Sequence, residues 1–355
     1  MEFFRGCLLG VFVGDAVGAT LEGRSFTPSH LEILTALELP GGGVHRLAPG
    51  QITDDSELTI ACGRGIINAY KNASEELIEF PLHYIALEYV KWFRSHPFDI
   101  GNTCRAALTY TTKVNTMAKP KKTVADSLRN SSQLKNAESK SNGSLMRCSV
   151  IAIWGHKLPI SQLGECAYSD SLLTHVHPSC CEAVGCYVIS CAHLFNNCRD
   201  YQGAIQVACE WLKSKNEHSE VQQWIEEAKN GILLNATQQI GYVKIAFVLA
   251  YYHLSHQTDF IAAIKHTIAQ GGDTDTNAAI VGGLLGAFHG EQAIPENVKM
   301  KVLSCDTTKG RPRPSEFLVD QFDDMIRQLV ELAPSSVMNF PWVVGKPFNL
   351  ADYKK

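Results

Sequence analysis

The sequence predicts an all-α protein. Three observations carry this reading. Nearly every long segment repeats apolar residues at helical spacing, and convincing strand alternation is absent. Two apolar stretches also place glycine at every fourth position: Gly6, Gly10, Gly14 and Gly18 near one end, and Gly282, Gly286 and Gly290 near the other. Glycine lowers helix propensity, so such a stripe implies compensation through close approach of a second backbone.

In chain order, the periodicity predicts helices over 3–21, 57–70, 81–94, 161–169, 178–195, 201–212, 221–234, 243–254, 260–269, 278–288 and 315–332. The stretch 111–141 is polar, rich in Lys, Ser and Asn, and reads as a long surface excursion. Two Asp-rich helix starts, one near each end of the chain, are expected to share one core. The reading is therefore a single domain over 1–355.

Composition narrows the classes. The chain has 355 residues, 45% of them hydrophobic, enough for a large core. The 32 basic and 36 acidic residues leave a net charge of −4 with no basic block, which argues against nucleic acid as the partner. The apolar N-terminal stretch lacks a charged leader segment and is interrupted by Arg5 and Asp15, so it reads as a core helix. No run approaches the roughly 20 uninterrupted apolar residues of a membrane span. Twelve scattered cysteines, many in apolar helical patterns, read as reduced, buried thiols of a cytoplasmic protein.

The chemistry concentrates at the two acidic helix starts. Thr53, Asp54 and Asp55 precede one helical pattern; Asp273, Asp275 and Thr276 open another. N-capping accounts for some of these residues: Asp273 or Thr276 as caps, and Asp54 with Glu57 at capping-box spacing. It does not need two carboxylates at each start. Clustered carboxylates repel unless a cation sits among them. Oxygen ligands without adjacent His or Cys favour magnesium or manganese over zinc. Asp15, inside an apolar helix, is expected to satisfy nearby backbone groups. The loop Ser141, Asn142, Gly143, Ser144 could present backbone amides to phosphate. Asp99 and Asn102 lie in a turn before another helix. The run around His175, Cys180 and Cys181 fits no common zinc spacing.

Taken in order, GDAVGATLEG, TDDSELTIACGRGI, FDIGNTCRAAL, SNGSLMRCSVIA, THVHPSCCEAVG, GYVKIAFVLA and GGDTDTNAAIVGGLLGA, with a late GRPRPSEF, resemble the ADP-ribosylglycohydrolase family, in particular its dinitrogenase reductase-activating type. The matching stretches run from Gly14 to about Phe317. The resemblance implies a compact all-α fold that binds two divalent cations, Mg2+ or Mn2+, and releases ADP-ribose from modified protein side chains. It implies Thr53, Asp54, Asp55, Asp273, Asp275 and Thr276 as metal ligands. It places Asn102, the Ser141–Ser144 loop, His175 and Tyr242 around the ligand, and Glu22 and Asp99 as the candidate catalytic carboxylates, their proton-transfer roles undivided. Asp99 favours arginine-linked ADP-ribose. Serine-linked ADP-ribose, or an inert ADP-ribose-binding member, are the alternatives. The expected partners are an ADP-ribosylated protein and the ADP-ribose product, with the chain acting as a monomer.

Overall fold

The computed structural model describes residues 1–23, 26–73, 79–111 and 123–337. Among these residues sixteen α-helices follow one another: α1 (Glu2–Gly18), α2 (His30–Leu37), α3 (Asp54–Asn72), α4 (Leu82–Arg94), α5 (Asn102–Thr111), α6 (Val124–Lys135), α7 (Ser149–Trp154), α8 (Ile160–Ser171), α9 (Pro178–Asn196), α10 (Tyr201–Lys215), α11 (Glu220–Lys229), α12 (Val243–Ser255), α13 (Phe260–Ala269), α14 (Thr274–His289), α15 (Glu296–Leu303) and α16 (Phe322–Glu331). The described residues form no named strand; isolated bridges join Gly42 with Leu47 and Ser141 with Tyr242. None of these helices is long and apolar enough to cross a membrane.

The centre is an antiparallel pair, α1 against α14. Gly6, Gly10, Gly14 and Gly18 lie directly over the backbone of Gly286, Gly282, Ala278 and Thr274. A Cβ on Gly10 would fall 2.0 Å from the Gly282 carbonyl oxygen, and one on Gly286 2.0 Å from that of Gly6. No side chain fits there, which accounts for both stripes. Gly290, with φ of 84°, ends α14, and its backbone still belongs to the seam: a Cβ on Gly6 would fall 2.6 Å from the Gly290 carbonyl carbon. Towards the other end the seam continues through Ala278 and Thr274, the Thr274 hydroxyl donating to the Gly18 carbonyl at 2.8 Å. Residues 274–288 are all buried, with α9, α12 and α13 packed around them.

The same helix fixes the start of α3. Buried Asp15 accepts from the Thr53 amide (3.0 Å), the Thr53 hydroxyl (2.9 Å), the Ser56 amide (3.1 Å) and the Ser56 hydroxyl. This is N-capping supplied by another helix, as expected for Asp15. The anticipated Asp54–Glu57 box does not form. Glu57 turns away to Arg313 (2.7 Å) and the Trp92 indole (2.7 Å), tying α3 to α4 and the late loop.

Other boundaries move for local reasons. The polar stretch 111–141 is not all excursion, because α6 lies within it, started by a Thr123–Asp126 capping box and burying Leu128. The rest of that stretch, 112–122, and the chain end, 338–355, lie outside the described residues. Helix α11 stops at Lys229, where Asn230 and a positive-φ Gly231 turn the chain. The predicted helix from 315 begins as two short 3-10 turns, and α16 starts only at Phe322.

Gly14→Leu and Gly286→Leu are each expected to lower stability by at least about 1–3 kcal/mol, the usual cost of overpacking, since backbone rather than a flexible side chain blocks the space. Gly101→Ala, which meets nothing within 4 Å, serves as the control. Thermal denaturation followed by circular dichroism checks this; an unchanged melting temperature in Gly14→Leu would contradict the seam.

Candidate active site

Because α1 runs antiparallel to α14 and caps α3, the starts of α3 and α14 converge at the C-terminal end of α1. Asp54 and Asp55 open α3, and Asp273 and Asp275 flank the first residue of α14. Asp55 is fully buried, accepts from the Thr53 hydroxyl at 3.2 Å through Oδ2, and leaves Oδ1 without a partner. Asp54 accepts from the Gly101 amide at 3.3 Å. Asp273 occupies the N-cap position of α14, but its side chain does not cap; it accepts from the Asn142 amide group at 2.7 Å. Asp275 and Thr276 are buried, the Asp275 Oδ1 accepting from the Thr276 amide at 2.9 Å.

The electrostatics record the crowding. Burial, then Asp99 and Asp55, pushes Asp54 well above the usual carboxylate range. Burial, then Asp15 and Asp273, does the same to Asp55. Burial, then Glu22 and Asp55, raises Asp275. Burial also raises Asp273, against the pull of its hydrogen bonds. Several carboxyls from opposite ends of the chain thus repel one another in one pocket, with an orphaned oxygen among them. Carboxylates joined by threonine hydroxyls form a donor set suited to a hard divalent cation.

At the mouth, Glu22 follows α1 and Asp99 lies between α4 and α5. A residue that the sequence reading missed joins them. His45 Nε2 is 2.8 Å from Glu22 Oε2 and 3.3 Å from Asp99 Oδ2. The ring nitrogen of His45 and a carboxylate oxygen from each of the other two all lie within 4.8 Å of one another. The Glu22 hydrogen bond raises the His45 pKa despite partial burial. Burial and then Glu22 push Asp99 up to about 7, with His45 pulling the other way. The available signal was Gly41-Gly42-Gly43 just before His45, all three with positive φ. Such a run marks a turn built for close backbone approach.

The Ser141–Ser144 loop forms the opposite wall. Asn142 anchors it twice, through its amide to the Gly241 carbonyl (3.0 Å) and through its side chain to Asp273. The Asn142 amide is therefore not one that faces a ligand. At Gly143 space is tight, since a Cβ would lie 3.1 Å from the His175 ring and 3.2 Å from Cys104 Sγ. Buried Ser144 accepts from Ser171 at 2.9 Å. His175 is fully buried, and burial followed by Arg147 holds its pKa well below normal, so it is neutral. Its Nε2 meets the Ser141 hydroxyl at 2.8 Å. Its neighbours Cys180 and Cys181 point their thiols at backbone carbonyls. Tyr242 precedes α12, half-buried, its backbone bridged to Ser141 and its ring edge-on to Trp224. Asn102 stands exposed at the first turn of α5 and joins none of these contacts.

Comparison with known proteins gives the family of the chain. Residues 1–335 match the ADP-ribosylglycohydrolase family. The chain is 29% identical over 297 residues to the ADP-ribosyl-[dinitrogen reductase] glycohydrolase of Rhodospirillum rubrum, covering 82% of this chain and 86% of that one. It is 27% identical over 308 residues to the ADP-ribosylarginine hydrolase Tri1 of Pseudomonas putida, covering 84% and 73%. A solved structure described as an ADP-ribosylglycohydrolase-related protein complex shares the fold, with a TM-score of 0.69 at 20% identity over 94% of this chain and 98% of its own. The chain belongs to the ADP-ribosylglycohydrolase family and is a hydrolase of that family.

The raised carboxyls give a pH prediction. A carboxyl whose folded pKa exceeds its unfolded value holds its proton longer when folded. Its contribution to stability is full below the unfolded value and is lost as pH rises through the folded one. For Asp99 that window runs from 3.8 to about 7, and Asp54, Asp55 and Asp275 act in the same direction. Melting temperatures measured in chelator are therefore expected to fall between those two pH values. A flat profile would contradict the carboxylate crowding.

Proposed function

We propose that the chain is a metal-dependent hydrolase that removes ADP-ribose from modified arginine side chains, acting in the cytoplasm. The observation that carries the reading is the meeting of four aspartates from two helix starts, one with an unpartnered buried oxygen, below a mouth that holds Glu22 and Asp99. Twelve free thiols support a reducing compartment.

Thr53, Asp54, Asp55, Asp273, Asp275 and Thr276 would hold two divalent cations, magnesium or manganese. Bound there, the cations supply positive charge that offsets the carboxylates and fixes oxygen-rich ligands. The rest of the work belongs to the chain. The Ser141–Ser144 loop, held by Asn142 and His175, offers a fixed wall for the diphosphate. Tyr242 closes that wall beside Ser141. Asp99 faces the side chain from which ADP-ribose leaves. A guanidinium is a cation, so a carboxylate there binds and orients it by a charge-assisted hydrogen bond. As the glycosidic bond breaks, the leaving guanidine requires a proton, and a nearby carboxyl group assists that transfer.

Asp55→Ala and Asp273→Ala are each expected to abolish hydrolysis at saturating magnesium while leaving the helical circular dichroism signal largely unchanged. In chelator, Asp55→Ala is expected to melt no lower than the parent protein, because it relieves repulsion. Near-parental turnover in either variant would overturn the two-cation reading.

Asp99→Asn is expected to slow cleavage of arginine-linked ADP-ribose by about one to two orders of magnitude, the worth of one charge-assisted hydrogen bond. ADP-ribose affinity, read by calorimetry, is expected to stay within about twofold, because Asp99 faces the leaving group. The check is kcat/KM on arginine- and serine-linked substrates. A parental preference for the serine linkage would replace this reading with the O-linked one, and inactivity on both with the inert one.

A further inference from the structure

Glu22 and Asp99 leave the division of labour at the mouth open, and His45 closes it. We infer that His45 is a positioning residue: it engages Glu22 and leaves Asp99 free for the cationic leaving group. The inference rests on the arginine-hydrolase reading above.

The distances are unequal. At 2.8 Å, His45 Nε2 lies within the range of a charge-assisted hydrogen bond to Glu22, whereas 3.3 Å to Asp99 lies outside it. One N–H cannot point well at both acceptors. Asp99 therefore keeps its bonding capacity for another donor, while Glu22 is already engaged.

The fold holds His45 in this place from two sides. Its turn is closed by paired backbone hydrogen bonds between Gly42 and Leu47, each 2.8 Å. That turn presses on the end of α1 through Gly43, where a Cβ would lie 2.9 Å from the Ala19 carbonyl oxygen. The His45 ring also leans on Phe98, the neighbour of Asp99, with centroids 5.6 Å apart. His45 is thus registered against both segments that carry the carboxylates.

Charge makes the arrangement useful. The groups acting on His45 are Glu22 beyond α1, Asp99 between α4 and α5, and the opposing Arg311 guanidinium of the late loop. Glu22 favours the protonated form of Asp99, which offers a guanidinium no charge. His45 pulls Asp99 the other way, towards the ionised form that a cationic leaving group needs.

The test compares His45→Gln, which removes the charge, with His45→Lys, which keeps a cation and discards the ring. Each is made alone and in Glu22→Gln. The readouts are kcat/KM on an arginine-ADP-ribosylated protein, ADP-ribose affinity, melting temperature and bound divalent cations per chain. His45→Gln is expected to lose about tenfold in kcat/KM, the worth of one charged hydrogen bond. His45→Lys is expected to recover most of that loss, with affinity and melting temperature unchanged in both. In Glu22→Gln, adding His45→Gln should cost less than about twofold more, the non-additivity of residues acting as one unit.

Equal losses in the Gln and Lys variants with lowered melting temperatures would make His45 structural. Full additivity with Glu22→Gln would mean that it acts independently of Glu22. One fewer bound cation in His45→Gln would make Glu22, His45 and Asp99 a cation site instead. Each of these overturns the inference while leaving the arginine reading in place. A parental protein inactive on the arginine linkage overturns both.

Discussion

Everything at the site depends on how closely α1 can approach α14. The absent Cβ atoms of Gly10, Gly14, Gly282 and Gly286 let two backbones meet at distances that any side chain would prevent. This contact does more than fill the core. It fixes the axial register of α14 on α1, and the Thr274–Gly18 hydrogen bond locks that register at the end where the acids lie. Asp15, less than one turn before Gly18 on the same helix, fixes α3 in turn. A single helix thereby positions two acidic helix starts whose sequences lie at opposite ends of the chain.

The price of the arrangement is electrostatic. Buried carboxylates are costly, and like charges in one pocket raise each other's proton affinity. Two features of the fold reduce the cost. The acids sit at helix N-termini, where the partial positive charge of unpaired amides favours anions. Hydroxyls and amides from Thr53, Asn142 and Gly101 donate to them. These donors do not satisfy every oxygen, as Asp55 Oδ1 makes plain. A pocket of this kind is incomplete in electrostatic terms, and its oxygen donors are of the type that a hard divalent cation completes.

The sequence carried the parts of this design that are local or periodic. Helical spacing disclosed most helices, and the four-residue glycine interval disclosed the seam, because both are properties of a single helix face. The doubled aspartates at each helix start were legible because capping alone does not need them. What the sequence left hidden depends on distant partners. Glu57 abandons its capping position for Arg313, far along the chain. Gly290 shares the spacing of the stripe, yet its positive φ belongs to a helix end. The polar surface of α6 disguised a helix that packs on α5. His45 had no motif of its own; only the folded turn brings it to Glu22 and Asp99.

The Ser141–Ser144 wall is supported on a separate foundation, and its hydrogen-bond direction can be worked out bond by bond. Beneath it lies a fully buried ion pair, Arg147 with Asp170, which also accepts from Tyr89. Ser141 donates to Thr103 at 2.9 Å, so the proton between Ser141 and His175 Nε2, 2.8 Å apart, is the imidazole's. His175 is neutral, so Nδ1 carries no proton and accepts from the Thr174 hydroxyl at 2.8 Å. Thr174 in turn accepts from Arg147 Nη1 at 2.8 Å, a donor that cannot reverse. The tautomer of His175 thus follows from the bond that Ser141 makes, and Arg147 anchors the far end of the chain. The aspartate wall hangs from α1 and this one from Arg147. Asn142 and Asp273 join the two walls, so the loop and the aspartates hold their spacing as one unit.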